Sequence, residues 1–194
     1  MQRRTFLAGA FAALASQGHA MPRPYRLGPD GATISYTFRL SGTAFTGTVP
    51  IDRADLTIDA RNLAASTADV TADVRRARTG LLLATKALKS RRILAAADYP
   101  LARFQSTRVT PGIGGRMSDG ATLEGLLTLR GITRPITFDA QMFGDPGPAR
   151  GDMRIMNVIL TGSVDRRDYG ATGYGQFVAD NVDITITAQI ETTT

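Results

Sequence analysis

Strict alternation of apolar and polar residues constrains this chain more than any other feature. In ATISYTFRL, which begins at Ala32, the side chains of Ile34, Tyr36, Phe38 and Leu40 share one face, and Thr33, Ser35, Thr37 and Arg39 share the other. VDITITAQIE, which begins at Val182, repeats the pattern with Val182, Ile184, Ile186 and Ala188 against Asp183, Thr185, Thr187 and Gln189. A period of two separates the faces of a pleated strand, whereas a helix would scatter these residues around its circumference. ADLTIDA places Leu56 and Ile58 together, and ADVTADV does the same for Val70, Ala72 and Val74. Further strand patterns are LARFQSTRV, ATLEGLLTL, ITFDAQMF and MRIMNVILTGSV, separated by the turn-rich runs PGIGGRMSDG and GDPGPARGD.

One segment breaks the alternation. From Thr79 to about Ala97 the residues Leu81, Ala84 and Leu88 follow helical spacing in an Ala/Leu-rich run, which predicts a helix and a turn ending at Pro100. About eight strands with one helical insertion predict an all-β fold, an eight-stranded antiparallel β-barrel. A barrel of this size encloses room for side chains or one slim ligand, and the same alternation serves a filled core and a ligand tunnel equally well.

Missing residue types narrow the chemistry. His19 is the only histidine and the chain has no cysteine or tryptophan. With His19 inside an N-terminal leader, a Ser-His-Asp or Cys-His nucleophile, a histidine or thiolate zinc site, a disulfide and a histidine- or cysteine-held haem all fall away. No cofactor is expected.

That leader is MQRRTFLAGAFAALASQGHA, residues 1–20. It has a basic start at Arg3 and Arg4, an apolar run and a small-residue end, the pattern of an export signal cut after Ala20. Arg3, Arg4, Phe6 and Leu7 match the twin-arginine pattern, so a periplasmic domain over residues 21–194 is expected. Its removal leaves 21 basic against 17 acidic residues, a net charge of +4. Arg75, Arg76, Arg78, Lys86, Lys89, Arg91 and Arg92 form the densest basic run, chemistry that could attract phosphate or anionic lipid headgroups. It is read as a solvated face, because nucleic-acid binders pair such a patch with a recognisable module.

Four blocks, in order, carry a family resemblance: LKSRRILAAADYPLARFQST, LEGLLTLRGITRPITF, DRRDYG and VADNVDITITAQIE. Leu88, Lys89 and Ser90, then Tyr99, Pro100 and Phe104, are followed by a hairpin through Gly125, Leu127, Thr128, Leu129, Gly131, Ile132, Thr133, Arg134 and Pro135. Arg166 or Arg167 with Tyr169 and Gly170, and the strand through Val182, Ile184 and Ile186, complete the set. Together they resemble the YceI-like family of periplasmic, lipocalin-like barrels. The resemblance implies a binding protein rather than an enzyme, holding a long apolar molecule such as a polyisoprenoid, an isoprenoid quinone or a fatty-chain lipid. The chain departs from the family pattern at Thr85 and Ala87, at Ile93 and Leu94, and at Arg130, where the family usually has histidine.

On this reading the ligand wall is expected from Phe38, Phe45, Leu88, Ile93, Phe104, Leu127, Leu129, Ile136, Phe138 and Tyr169, with Arg167 and Asp168 near a mouth. Transient contact with a membrane or membrane proteins is expected, nucleic acid is not, and the oligomeric state is left open with a dimer among the options. The rival reading is an enzyme acting on a lipid-like substrate through Asp139, Asp168 and Tyr169.

Overall fold

A computed structural model describes residues 23–59, 62–144 and 155–193. The predicted leader and most of the GDPGPARGD turn lie outside the described residues. The strands are β1 (Arg23–Leu40), β2 (Thr43–Ile58), β3 (Thr67–Asp73), β4 (Arg78–Thr79), β5 (Leu101–Pro111), β6 (Ala121–Leu129), β7 (Ile132–Gly144), β8 (Ile155–Asp165) and β9 (Asn181–Thr192). Their order is β1-β9-β8-β7-β6-β5-β3-β2, and β2 pairs back onto β1. Eight antiparallel strands therefore close into a barrel with no free edge, and the two-residue β4 is a clip on β2.

Two features differ from the expectation, each for a local reason. The first five residues of ADLTIDA, 54–58, are the end of the 16-residue β2 rather than a strand of their own. The register of β2 against β3 shifts between Ile51 and Arg53, so Asp52 is an extra residue. A bulge of this kind reverses the alternation; Val49 and Ile51 face inward before it, and Ala54, Leu56 and Ile58 after it. Similar shifts occur in β1 between Leu27 and Ala32 and in β5 between Ser106 and Arg108. The helix, α1, covers only Leu82–Lys89. Beyond it Ser90 is extended and its carbonyl accepts from the Ile93 and Ala95 amides, so RRILAAADYP is a run of turns.

The two ends of the barrel are built differently. Chain direction places β4, α1, the 90–100 turns, the 130–131 turn and the 170–180 loop at one end. The opposite end is closed by a cluster of Tyr25, Leu63, Met117, Met142, Met156 and Ile190. Met156 and Ile190 are essentially inaccessible to solvent there. This plug leaves the α1 end as the way in.

Candidate functional site

Above the plug the barrel is hollow, with a cavity of about 820 Å³. That is within the range of sites that enclose a small organic ligand. The alternating residues supply its wall: Ile34, Tyr36 and Phe38 from β1, Leu123 and Leu127 from β6, and Val182 through Ile190 from β9. Along β9 alone the lining follows about 27 Å of strand, about 20 Å along the axis at the usual tilt of barrel strands, which makes the space a tunnel rather than a pocket.

Aromatic rings shape it. Phe104 and Phe138 meet edge to face with centroids 5.5 Å apart. The Phe104 ring lies over Gly125, and Phe138 lies over Gly162, where a Cβ would stand 2.7 Å from its Cδ1. Tyr36 lies over Gly47 in the same manner. Inward glycines thus let three rings fold against the wall instead of crossing the lumen.

Polar groups on the lining are few. The Tyr36 hydroxyl donates to the Arg78 carbonyl at 2.8 Å, and burial pushes its pKa upward. Arg103 contributes to the lining, but its guanidinium donates to Asp69 on the outer wall at 2.9 and 2.5 Å. Arg166 is 5% exposed. It donates to the carbonyls of Ala179 at 3.0 Å, Gly173 at 2.9 Å and Val178 at 2.9 Å, and to Ala171. It also pairs with Asp180 at 3.0 Å. Its donors are spent on holding the 170–180 loop over the end of the barrel, so little hydrogen-bonding capacity is left for a ligand. Among the described residues no carboxylate lines the cavity, and no cluster could hold a metal ion.

At the mouth, Leu81, Leu82, Leu83, Ala84, Ala87 and Leu88 line the side of α1. Tyr174 and Phe177 line the facing loop. The loops are tied to one another: Gly173 donates to the Arg92 carbonyl at 2.9 Å, and Ser41 to that of Phe177 at 2.7 Å. Arg130 joins them, donating to the Arg91 carbonyl at 2.9 Å and to that of Ile93. Arg130 and Gly131, with φ of 52° and 74°, form the two-residue turn between Leu129 and Ile132. Charge in that turn therefore braces the neighbouring loop.

Of the residues expected on the wall, Phe38, Leu88, Ile93, Phe104, Leu127, Leu129 and Phe138 line the cavity. Five others are not on the lining. Phe45 backs Phe38, its cross-strand partner, with ring centroids 5.9 Å apart. Ile136 is buried in the cluster with Leu123 and Phe138. Tyr169 is sealed beneath a short 3-10 turn, Arg166–Tyr169, whose first peptide is capped by Asp165. Arg167 and Asp168 are exposed on that turn, with Arg167 paired to Asp180 at 2.9 Å. The inward arginine is its neighbour Arg166, which neighbouring identical residues in a sequence do not distinguish. Asp139 points outward between the inward Phe138 and Ala140.

Comparison with known proteins agrees with this architecture. A UPF0312 protein of Enterobacter sp. (strain 638) is 27% identical over 181 residues, covering 91% of this chain and 90% of the relative. Protein YceI of Escherichia coli O17:K52:H18 is 30% identical over 156 residues, 78% of this chain and 79% of the relative. Among solved structures, Burkholderia cenocepacia BcnA superposes with a TM-score of 0.72 at 17% identity, over 85% of this chain and 99% of its own. A polyisoprenoid-binding domain from Saccharophagus degradans gives 0.60 at 13% identity, over 88% and 99%. The YceI-like domain description matches residues 25–190. On that match and these relatives, the chain belongs to the YceI-like family.

Proposed function

We propose that this protein is a non-catalytic carrier that holds the apolar chain of a lipid, of the polyisoprenoid or fatty class, inside the barrel. The observation that carries the reading is the hydrocarbon tunnel of about 820 Å³, closed at one end and rimmed by apolar side chains at the other. Each CH2 withdrawn from water contributes about 0.8 kcal/mol, so ten methylenes contribute roughly 8 kcal/mol before the cost of ordering the chain. Affinity of that origin needs no headgroup contact in the lumen. The polyisoprenoid-binding domain of the same fold supports an isoprenoid tail.

Among the described residues no carboxylate reaches the lining, and Asp139 and Asp168 lie outside it, which favours binding over catalysis. We further propose that the leader directs the chain to the periplasm and is cut after Ala20, and that the carrier meets membranes transiently to load and unload. N-terminal sequencing of the protein from a periplasmic extract should begin at Met21; retention of residues 1–20 would contradict export by this route.

Organic extraction of the purified protein followed by lipid mass spectrometry tests the main claim. A long-chain lipid in stoichiometric amount is expected. Reproducible recovery of no lipid, or only of a water-soluble compound, would overturn it. Turnover of the bound lipid during long incubation would instead establish an enzyme.

A further inference from the structure

The mouth of the cavity has a surface of unusual composition. Helix α1 has no buried residue, and Leu82 and Leu83 are 86% and 82% exposed. Across the opening Phe177 is 57% exposed, and Tyr174 is exposed beside it. Apolar side chains this accessible do not serve the core. All four also line the cavity, so the exposed patch is continuous with the hydrocarbon interior.

The segment that carries the helix has charge of one sign. From Val74 through Ala97 the chain has seven basic residues, Arg75, Arg76, Arg78, Lys86, Lys89, Arg91 and Arg92, and no acidic one. Both lysines of the chain stand on α1. Lys86 is exposed, one turn along the helix from Leu82 and Leu83. Arg75 and Arg91 are partly balanced by Asp73 and Asp98, at 2.9 and 3.1 Å. Arg78 extends beside Thr79, itself on the lining, and Arg92 offers its carbonyl to the opposite loop, so the basic residues border the opening.

We propose that this end of the barrel is a docking face for an anionic phospholipid bilayer, with Leu82, Leu83 and Phe177 entering the headgroup region and Lys86, Lys89 and Arg92 contacting lipid phosphates. Short apolar anchors flanked by basic side chains are the chemistry of interfacial binding. A second copy of the chain fits the face less well, because an isologous pairing would set the two basic runs against each other. Docking in this orientation places the cavity mouth against the acyl region, and an apolar chain then passes between bilayer and barrel without crossing water.

The proposal names the surface used in the carrier reading, but its test is independent of any cavity ligand. The purified protein is sedimented with vesicles of phosphatidylethanolamine and phosphatidylglycerol, or of phosphatidylcholine alone, all free of isoprenoids. Binding is expected to the anionic vesicles, falling as salt is raised. Leu82→Ser with Leu83→Ser, and separately Lys86→Glu with Lys89→Glu, should each lower partitioning at least tenfold. Leu126→Ser, exposed on the outer wall, should leave it unchanged. Leu82, Leu83 and Lys86 are exposed, Lys89 is half-exposed and none of the four is buried, so unaltered thermal melting is expected for both double variants. No binding to anionic vesicles, or equal binding by the variants, would overturn the proposal. A doubled solution mass without vesicles that the leucine variants abolish would also overturn it, by assigning the face to a second copy. An empty cavity on lipid extraction would leave the vesicle result standing while removing the carrier reading.

Discussion

The Arg166 guanidinium lies 3.0 Å from the Asp180 carboxylate, and the same arginine donates to the carbonyls of four residues in the loop between them. One buried side chain therefore organises 15 residues of chain that have little regular structure, from the end of β8 to the start of β9. Arg166→Met keeps much of the volume and removes every donor. Asp180 is 33% exposed and keeps Arg167, so the loss comes mainly from the four carbonyls left without a donor, at about 1–3 kcal/mol for each that stays buried and unsatisfied. Urea unfolding should show a loss of at least that order with the slope unchanged. Arg167→Met, at an exposed position, should cost less than about 1 kcal/mol. Equal effects at the two positions would contradict the assignment of Arg166 as the inward residue.

Packing of the rings against glycines yields a second prediction. A Cβ at Gly125 would collide with the Phe104 ring and also crowd the Gln105 carbonyl, which lies 2.5 Å away. Gly125→Val should therefore destabilise by roughly 1–3 kcal/mol or more through forced displacement, with a change in near-ultraviolet circular dichroism from the Phe104–Phe138 pair. Gly131→Ala combines a left-handed φ of 74° with a Cβ 2.7 Å from Tyr99 Cε1. The left-handed conformation alone costs about 1–2 kcal/mol. Unchanged thermal midpoints in both variants would refute this account of the wall and the turn.

Stability should fall at both extremes of pH. Burial holds the Tyr36 phenol above its ordinary value of about 10. Above that pH the unfolded chain releases a proton that the folded chain retains, so the folded state loses stability as pH rises. Tyr169 contributes in the same direction, raised by burial and by the Asp168 charge against the opposing effect of Arg134. At the acid end, the hydrogen bond from Arg103 holds Asp69 below the usual carboxylate range. Its contribution is complete above about pH 3.9, the ordinary aspartate value, and disappears as pH drops through the folded value. Urea midpoints across pH 2–12 should form a plateau with two falling limbs. Tyr36→Phe should flatten the alkaline limb; an unchanged slope would contradict the assignment.

Much of the barrel is legible in the sequence because each strand buries one face and exposes the other. The groups Ile34/Tyr36/Phe38/Leu40, Val70/Ala72/Val74 and Val182/Ile184/Ile186/Ala188 all face the cavity as their alternation implies. Bulges are harder to see, since one extra residue at Asp52 reverses the alternation and sets Leu56 and Ile58 out of phase with Val49 and Ile51 of the same strand. The helix is shorter than its Ala/Leu content suggests because Ser90 stops it and the following residues pair with one another in turns. The inward arginine was beyond reach: Arg166 and Arg167 are adjacent, and only the 3-10 turn after β8 decides which enters the protein. Phe45 and Ile136 share faces with lining residues but sit where other side chains cover them, a matter of packing rather than pattern.

The central claim, that the hollow barrel carries an apolar chain, is tested most directly by plugging the hollow. Ala188 lines the cavity near the closed end, paired with Val158 on β8. Ala188→Trp directs an indole into space the wild type leaves empty. Native mass spectrometry should show the wild type bearing a lipid-sized adduct that organic solvent removes, and the variant folded, with a melting temperature close to wild type, and without the adduct. An adduct retained in full by Ala188→Trp, or a wild type that never carries one, would contradict the account.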